Sequence, residues 1–223
     1  MIGTLNVLLA ARDSGVQRVV CASSSSVYGA NETLPKAEHL PAEPISRTPS
    51  ASWRARLLPQ LLGGLRPRHL SRSATSTSSG RGSDLLSQYS AVVPTFIDAL
   101  LDGERPVIYG DGSQTRDFTY IDNVIEGTVL ALTAPEVAGK VYNIAYGEGV
   151  TVNALFELLR EIVGADVEPR YVEARAGEVR HSQADISRAT KELGYRPSIS
   201  LREGLSLTVE YYRGRRSESP VPL

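Results

Sequence analysis

The run VVCASSSSVYG, Val19 to Gly29, constrains the fold more than any other stretch, because a strand-length apolar segment stops abruptly in four serines. Val19, Val20, Cys21 and Ala22 follow a helix-stopping Gly15 and read as an interior strand of a parallel sheet, covered on both faces. In open α/β sheets ligands sit at the carboxyl ends of strands, so these hydroxyls stand where a substrate can be reached. The same letters also suit a plain serine-rich loop.

Around this strand the pattern alternates. Ile2, Leu5, Leu8 and Leu9 recur at helical spacing ahead of Gly15. Further on, Val92, Val93, Phe96, Ile97, Leu100 and Leu101 make a helical face that Gly103 ends, RPVIYG and RDFTYI read as strands, and Asp122 reads as the N-cap of a helix from Asn123 to about Thr133. Val141 to Ala145 is a strand candidate, and Thr151 caps a helix whose Val152, Leu155, Phe156, Leu159 and Ile162 share a face. Glu168 to Val172 reads as strand, Ile186 to Leu193 as a short helix, and Leu201 to Arg213 as the last one. Strands alternating with helices argue α/β.

Composition excludes several function classes. With 223 residues, 41% hydrophobic content and a net charge of -1, the chain can bury one sizeable core or two small ones and has no basic excess for nucleic acid. Cys21, the single cysteine, lies in an apolar strand and reads as core, which excludes an internal disulfide framework. No apolar run approaches the ~20 residues that span a membrane. The opening MIGTLNVLLAARDSG lacks a basic secretory n-region, so the expectation is a cytoplasmic protein. His39 and His69 have no acidic or cysteine partner at ligand spacing, so no metal site is expected, and His181 reads as a surface neighbour.

Three blocks carry a family resemblance: ASSSSVYG, then IYGDGSQTRDFTYIDNVIEG from Ile108 to Gly127, then GEVRHSQADISRATKELGY from Gly177 to Tyr195. In this order they resemble the extended short-chain dehydrogenase/reductases, specifically the NAD-dependent nucleotide-sugar epimerases and dehydratases, over residues 1–46 and 88–213. The resemblance implies the C-terminal part of a Rossmann-type parallel sheet plus a smaller α/β substrate-binding domain. Its parts are a remnant of the NAD-binding domain (1–46), an aberrant segment without order (47–87), a nucleotide-sugar-binding region with returning Rossmann elements (88–213) and a disordered tail (214–223). In that family about four βα units and a glycine-rich dinucleotide turn precede the serine strand. None stands before Val19, so the chain is expected to be N-terminally truncated, with an unpaired sheet edge.

Residues 47–86 differ in kind, holding seven arginines, no lysine and one acid, Asp84. The family has a Tyr-x-x-x-Lys helix and an Arg-Tyr-Phe-Asn-Val strand here, and neither is present. Codons for Arg47 to Arg56 can be chosen so that a one-base shift yields Tyr-Ala-Val-Ser-Lys-Leu-Ala-Gly-Glu. Those for Ser73 to Ser83 likewise yield Arg-Tyr-Phe-Asn-Val-Phe-Gly-Pro-Arg-Gln. Two motifs recovered in order imply a one-base slip near Ser46 compensated near Leu86; the alternative is a disordered basic insertion.

The resemblance also assigns roles. The family moves a hydride from a sugar carbon to NAD while a tyrosine, its pKa lowered by the lysine, takes the hydroxyl proton. Ser24 matches the serine or threonine that hydrogen-bonds the reacting sugar oxygen, with Ser25 and Ser26 beside it, where dehydratases carry an Asp-Glu pair. This favours a 4-epimerase of UDP-sugars. Ala22 and Ser23 fall beside the cofactor, NAD. Arg116 matches the diphosphate arginine, the alternative being an ion pair with Asp117 or Asp122. Val107 and Tyr109 match positions lining the uracil, although Val107 also suits an ordinary strand. Arg175 and Glu178 match a phosphate arginine and a ribose acid, in RAGE where the family has Arg-Pro-Gly-Asp. Ser182 is small where bulk would exclude an N-acetyl group, so both UDP-glucose and UDP-N-acetylglucosamine fit. A homodimer is implied through the helix that bears the Tyr and Lys. Without that pair the chain itself is expected to be inactive; the competing readings are a non-catalytic remnant that binds a nucleotide sugar and a family dehydratase or decarboxylase.

Overall fold

A computed structural model describes residues 2–29, 31–43, 67–72, 92–174 and 179–217. In order these form α1 (Ile2–Asp13), β1 (Val19–Ala22), a 3-10 turn (Ser25–Tyr28), β2 (Pro67–Arg72), α2 (Val92–Leu101), β3 (Val107–Tyr109) and β4 (Thr115–Arg116). There follow α3 (Ile121–Thr133), β5 (Val141–Ile144), β6 (Val150–Thr151), α4 (Val152–Val163), β7 (Arg170–Val172), α5 (Ser187–Leu193) and α6 (Leu201–Ser217).

Three parallel strands in the order β1-β2-β5 make the Rossmann-type sheet, with Val20 opposite Arg68 and His69 opposite Val141. Parallel pairing needs crossovers, and α3 supplies packing for this sheet from one side. Gly127 lets α3 approach closely, since a β-carbon there would stand 2.7 Å from the Ile144 side chain. Behind β5 lies one core, built from Ala131, Tyr142, Ile144, Ala189, Leu193 and Tyr195. The larger core joins α2, α4 and α6, where Phe96 and Phe156 meet edge to face at 6.2 Å. Two small sheets flank it, β3 with β7 in parallel and β4 with β6 antiparallel.

The helix periods expected for α1, α2, α4 and α5 appear as read. Thr151 caps α4 by accepting the Ala154 N–H at 3.0 Å, and Gly164 ends it in the left-handed region at φ 75. Other expectations are corrected. Val19, Val20 and Cys21 of β1 are only half-buried and Ala22 is exposed, because among the described residues β1 pairs with β2 alone and is an edge strand. The segment 47–87, expected to lack order, contains β2. Two parallel strands, β1 and β5, leave a gap between them that backbone hydrogen bonding fills, whatever the side-chain pattern. The rest of that segment, and both frame-shift points, lie outside the described residues.

The strand expected over RDFTYI is only Thr115–Arg116, since Asp117 turns its carboxylate to distant backbone. Tyr120, not Asp122, stands at the N-cap of α3; Asp122 lies in the first turn, where the helix dipole favours an acid. Helix α6 runs past Gly214 to Ser217, into the expected tail, because Arg216 is held by Asp98 of α2 at 3.0 Å and by Asp102 just beyond that helix. No helix among the described residues is long and apolar enough to cross a membrane.

Candidate functional site

The serine turn is built by its apolar end. Val27 and Tyr28 are buried, at 0% and 2% exposure, and Tyr28 donates its hydroxyl to the Asn143 Oδ1 on β5 at 2.9 Å. With the turn anchored there, the serines are left at the carboxyl end of β1. Ser24 is the N-cap, accepting the Ser26 N–H at 3.2 Å, and its hydroxyl pairs with that of Ser26 at 2.9 Å. Ser23, Ser24 and Ser25 are half-buried and Ser26 and Ala22 exposed. Such a row offers hydrogen bonds to a sugar.

Arg116 lies on β4 between two neighbours. β6 pairs Val150 with it on one side. On the other the chain 180–182 runs alongside, the Thr115 N–H reaching the Arg180 carbonyl at 3.0 Å and the Ser182 N–H reaching the Thr115 carbonyl at 3.1 Å. The Arg116 Nη1 donates to the carbonyls of Thr115 (2.8 Å) and Arg180 (3.1 Å), which aims the guanidinium along this seam. Ser182 is half-buried two residues from that carbonyl, so Arg116 and Ser182, 66 positions apart in the sequence, are brought together across one strand pairing. His181 bonds the Thr115 hydroxyl at 3.1 Å, a surface role as expected.

Val107 and Tyr109 stand on β3, the first half-buried and the second 37% exposed. The Tyr109 carbonyl accepts from the Gln114 side chain at 2.8 Å, so β3 ends against the residue that precedes β4. Arg175 and Glu178 lie outside the described residues.

A polar framework joins these parts, and sequence reading missed it. Asn143, fully buried, accepts from Tyr28 and donates its side-chain amide to the carbonyls of Lys36 (2.7 Å) and Asp185 (3.1 Å). Its backbone N–H goes to the buried Glu38 carboxylate at 2.7 Å. Lys36, 3% exposed, exchanges backbone bonds of 2.8 Å with Gln183 and Asp185, and its ammonium bonds the Asn31 carbonyl. Burial raises the Glu38 pKa and lowers that of Lys36. Asp117, 1% exposed, accepts the N–H groups of Tyr146 (3.2 Å), Gly147 (3.1 Å) and Ala184 (3.1 Å). Burial outweighs those bonds and pushes its carboxyl up to about 6. Two sequence signals were present, both local: an Asn inside the apolar strand VYNIA and an acid inside RDF.

Residues 1–145 match the NAD dependent epimerase/dehydratase family. The chain is 33% identical over 216 residues to a UDP-glucose 4-epimerase of Mycolicibacterium smegmatis, covering 96% of this chain and 68% of the relative. Among solved structures, a UDP-glucose 4-epimerase of Thermotoga maritima with UDP-glucose superposes at a TM-score of 0.86 and 35% identity, covering 97% of this chain and 70% of that one. A dTDP-glucose 4,6-dehydratase of Streptomyces venezuelae, solved with NAD, gives a TM-score of 0.82 at 31% identity over 98% of this chain and 66% of that one.

Proposed function

Since the chain belongs to the NAD dependent epimerase/dehydratase family, we propose that its site is that of a UDP-sugar 4-epimerase, binding the nucleotide sugar without turning it over. The observation that carries this reading is the shared framework. Tyr28 ties the serine turn to Asn143, and Asn143 ties it through Asp185 to the segment bearing Ser182, which is paired to the strand of Arg116.

In this reading Arg116 and Arg175 meet the diphosphate, Val107 and Tyr109 line the base, and Glu178 takes ribose hydroxyls. Ser24, with Ser25 and Ser26, orients the sugar hydroxyl. Ser182 faces the 2-substituent and leaves room for an N-acetyl group. The family reaction uses NAD to accept and return the hydride. At the end of β1 the exposed Ala22 and the half-buried Ser23 are the two residues that would lie beside this cofactor. The proton must leave the hydroxyl toward a base, and no tyrosine in this chain is followed four residues later by lysine. The chain is therefore assigned binding and not catalysis. Ser25 and Ser26 favour the epimerase over a dehydratase, which needs acids to remove water.

Calorimetric titration of the purified chain with UDP and UDP-glucose, beside an assay for UDP-galactose formed from UDP-glucose with added NAD, tests this. The expected result is binding of both ligands, no retained NAD and no interconversion. Absence of UDP binding would refute the reading, and turnover would refute the assignment of inactivity.

A further inference from the structure

One buried carboxylate holds both neighbours of Arg116. The turn that leads from β5 into β6 passes through Tyr146 and Gly147, and the segment carrying Arg180 and Ser182 runs into Ala184. Asp117 accepts from all three backbone N–H groups: Tyr146 and Gly147 on Oδ1 at 3.2 and 3.3 Å, Gly147 again on Oδ2 at 3.1 Å, and Ala184 on Oδ2 at 3.1 Å. Thr119 supports the same turn, its hydroxyl accepting the Tyr146 N–H at 3.0 Å. Gln183 closes the gap from the other side by donating to the Gly147 carbonyl at 2.9 Å. The backbone donors come from positions 29, 30 and 67 residues away in sequence, and the Thr119 hydroxyl adds one local bond at 3.5 Å, so the carboxylate chiefly satisfies distant backbone.

We propose that Asp117 is a positioning residue: its two oxygens set the spacing of the two segments that flank Arg116, and thereby the aim of the guanidinium and the place of Ser182 relative to a nucleoside diphosphate. This rests on the UDP-sugar reading above. Two features separate the role from packing. The Asp117 carboxylate joins the backbone N–H groups of two segments that are distant in sequence. Burial also raises its pKa to about 6, so at neutral pH its charge is held against the desolvation penalty, which suits a group that organises a site better than one that stabilises a core.

The full 223-residue chain is compared with Asp117→Ala, Asp117→Asn and Leu155→Ala, using UDP as the probe in calorimetry and amide hydrogen exchange as a ligand-free readout. Leu155→Ala lowers stability from the larger apolar core and removes no hydrogen bond of this seam. Asp117→Ala is expected to weaken UDP by about tenfold or more, the worth of one hydrogen bond to a charged group. Asp117→Asn, which keeps one acceptor oxygen, restores part of that affinity, and Leu155→Ala stays within about twofold of wild type despite its stability loss. Exchange at Tyr146, Gly147 and Ala184 accelerates in both Asp117 variants while that of α2 and α4 does not.

Unchanged exchange at those three amides, or a UDP loss in Leu155→Ala as large as in Asp117→Ala, would overturn the proposal. A wild-type chain that does not bind UDP would instead refute the functional reading, and the exchange result alone would then decide whether Asp117 sets the spacing. Should Asp117→Ala fail to fold, Asp117→Asn carries both measurements.

Discussion

Replacing Asp117 by Asn should flatten one part of the stability curve against pH. The carboxyl titrates near 3.8 when solvated and at about 6 in the fold, because burial outweighs the N–H groups of Ala184, Gly147 and Tyr146 and the Thr119 hydroxyl. A folded-state pKa above the unfolded one means that the native state holds the proton longer. Its contribution to stability is therefore full below the unfolded pKa and is lost as pH rises through the folded one. About two pKa units at ~1.4 kcal/mol each amount to about 3 kcal/mol, lost between roughly pH 4 and pH 7. Other groups titrate nearby: burial of Glu38 works in the same direction, whereas Asp185 and Glu192, hydrogen-bonded in the ionised form, work in the opposite one. The difference between wild type and Asp117→Asn removes those shared contributions. Urea unfolding of both proteins at several pH values should show wild type losing about 3 kcal/mol relative to the variant as pH rises, with no further change above about pH 7. A difference that is flat with pH, or that grows in favour of wild type, would refute the claim that desolvation dominates at this site.

The larger core makes its own prediction. Leu155 is wholly buried among α2, α4 and α6, so Leu155→Ala should lower unfolding free energy by about 2–5 kcal/mol, read by urea denaturation. Gly127→Ala should cost about 1–3 kcal/mol by forcing a methyl to 2.7 Å from Ile144, and Ile144→Val should recover part of that loss in a double-mutant cycle. At the site, Ser182→Tyr should reduce the affinity for UDP-N-acetylglucosamine by about tenfold while sparing UDP-glucose, measured by calorimetry; equal loss on both would remove Ser182 from the sugar pocket.

Much of the fold was open to reading along the chain, for a physical reason. An amphipathic helix such as α4 announces itself through Leu155, Phe156 and Leu159 on one face, and its Thr151 cap and Gly164 stop are local chemistry. The serine turn was legible in the same way, as a short strand that changes abruptly to hydroxyls. Arg116 was found through the motif around it, and its nearness to Ser182 could not be, because that contact depends on a strand pairing between residues 115 and 182.

What the residues determined by themselves was the kind of element at each place and the family chemistry of single positions, since periodicity, caps and hydroxyl or guanidinium groups act over a few residues. Only the tertiary structure decided which polar groups would be buried together. Asn143 and Asp117 become central because donors from residues up to 115 positions apart converge on them. Likewise β2, in an arginine-rich stretch with no strand pattern, is a strand because β1 and β5 leave backbone groups on both sides of it to be satisfied.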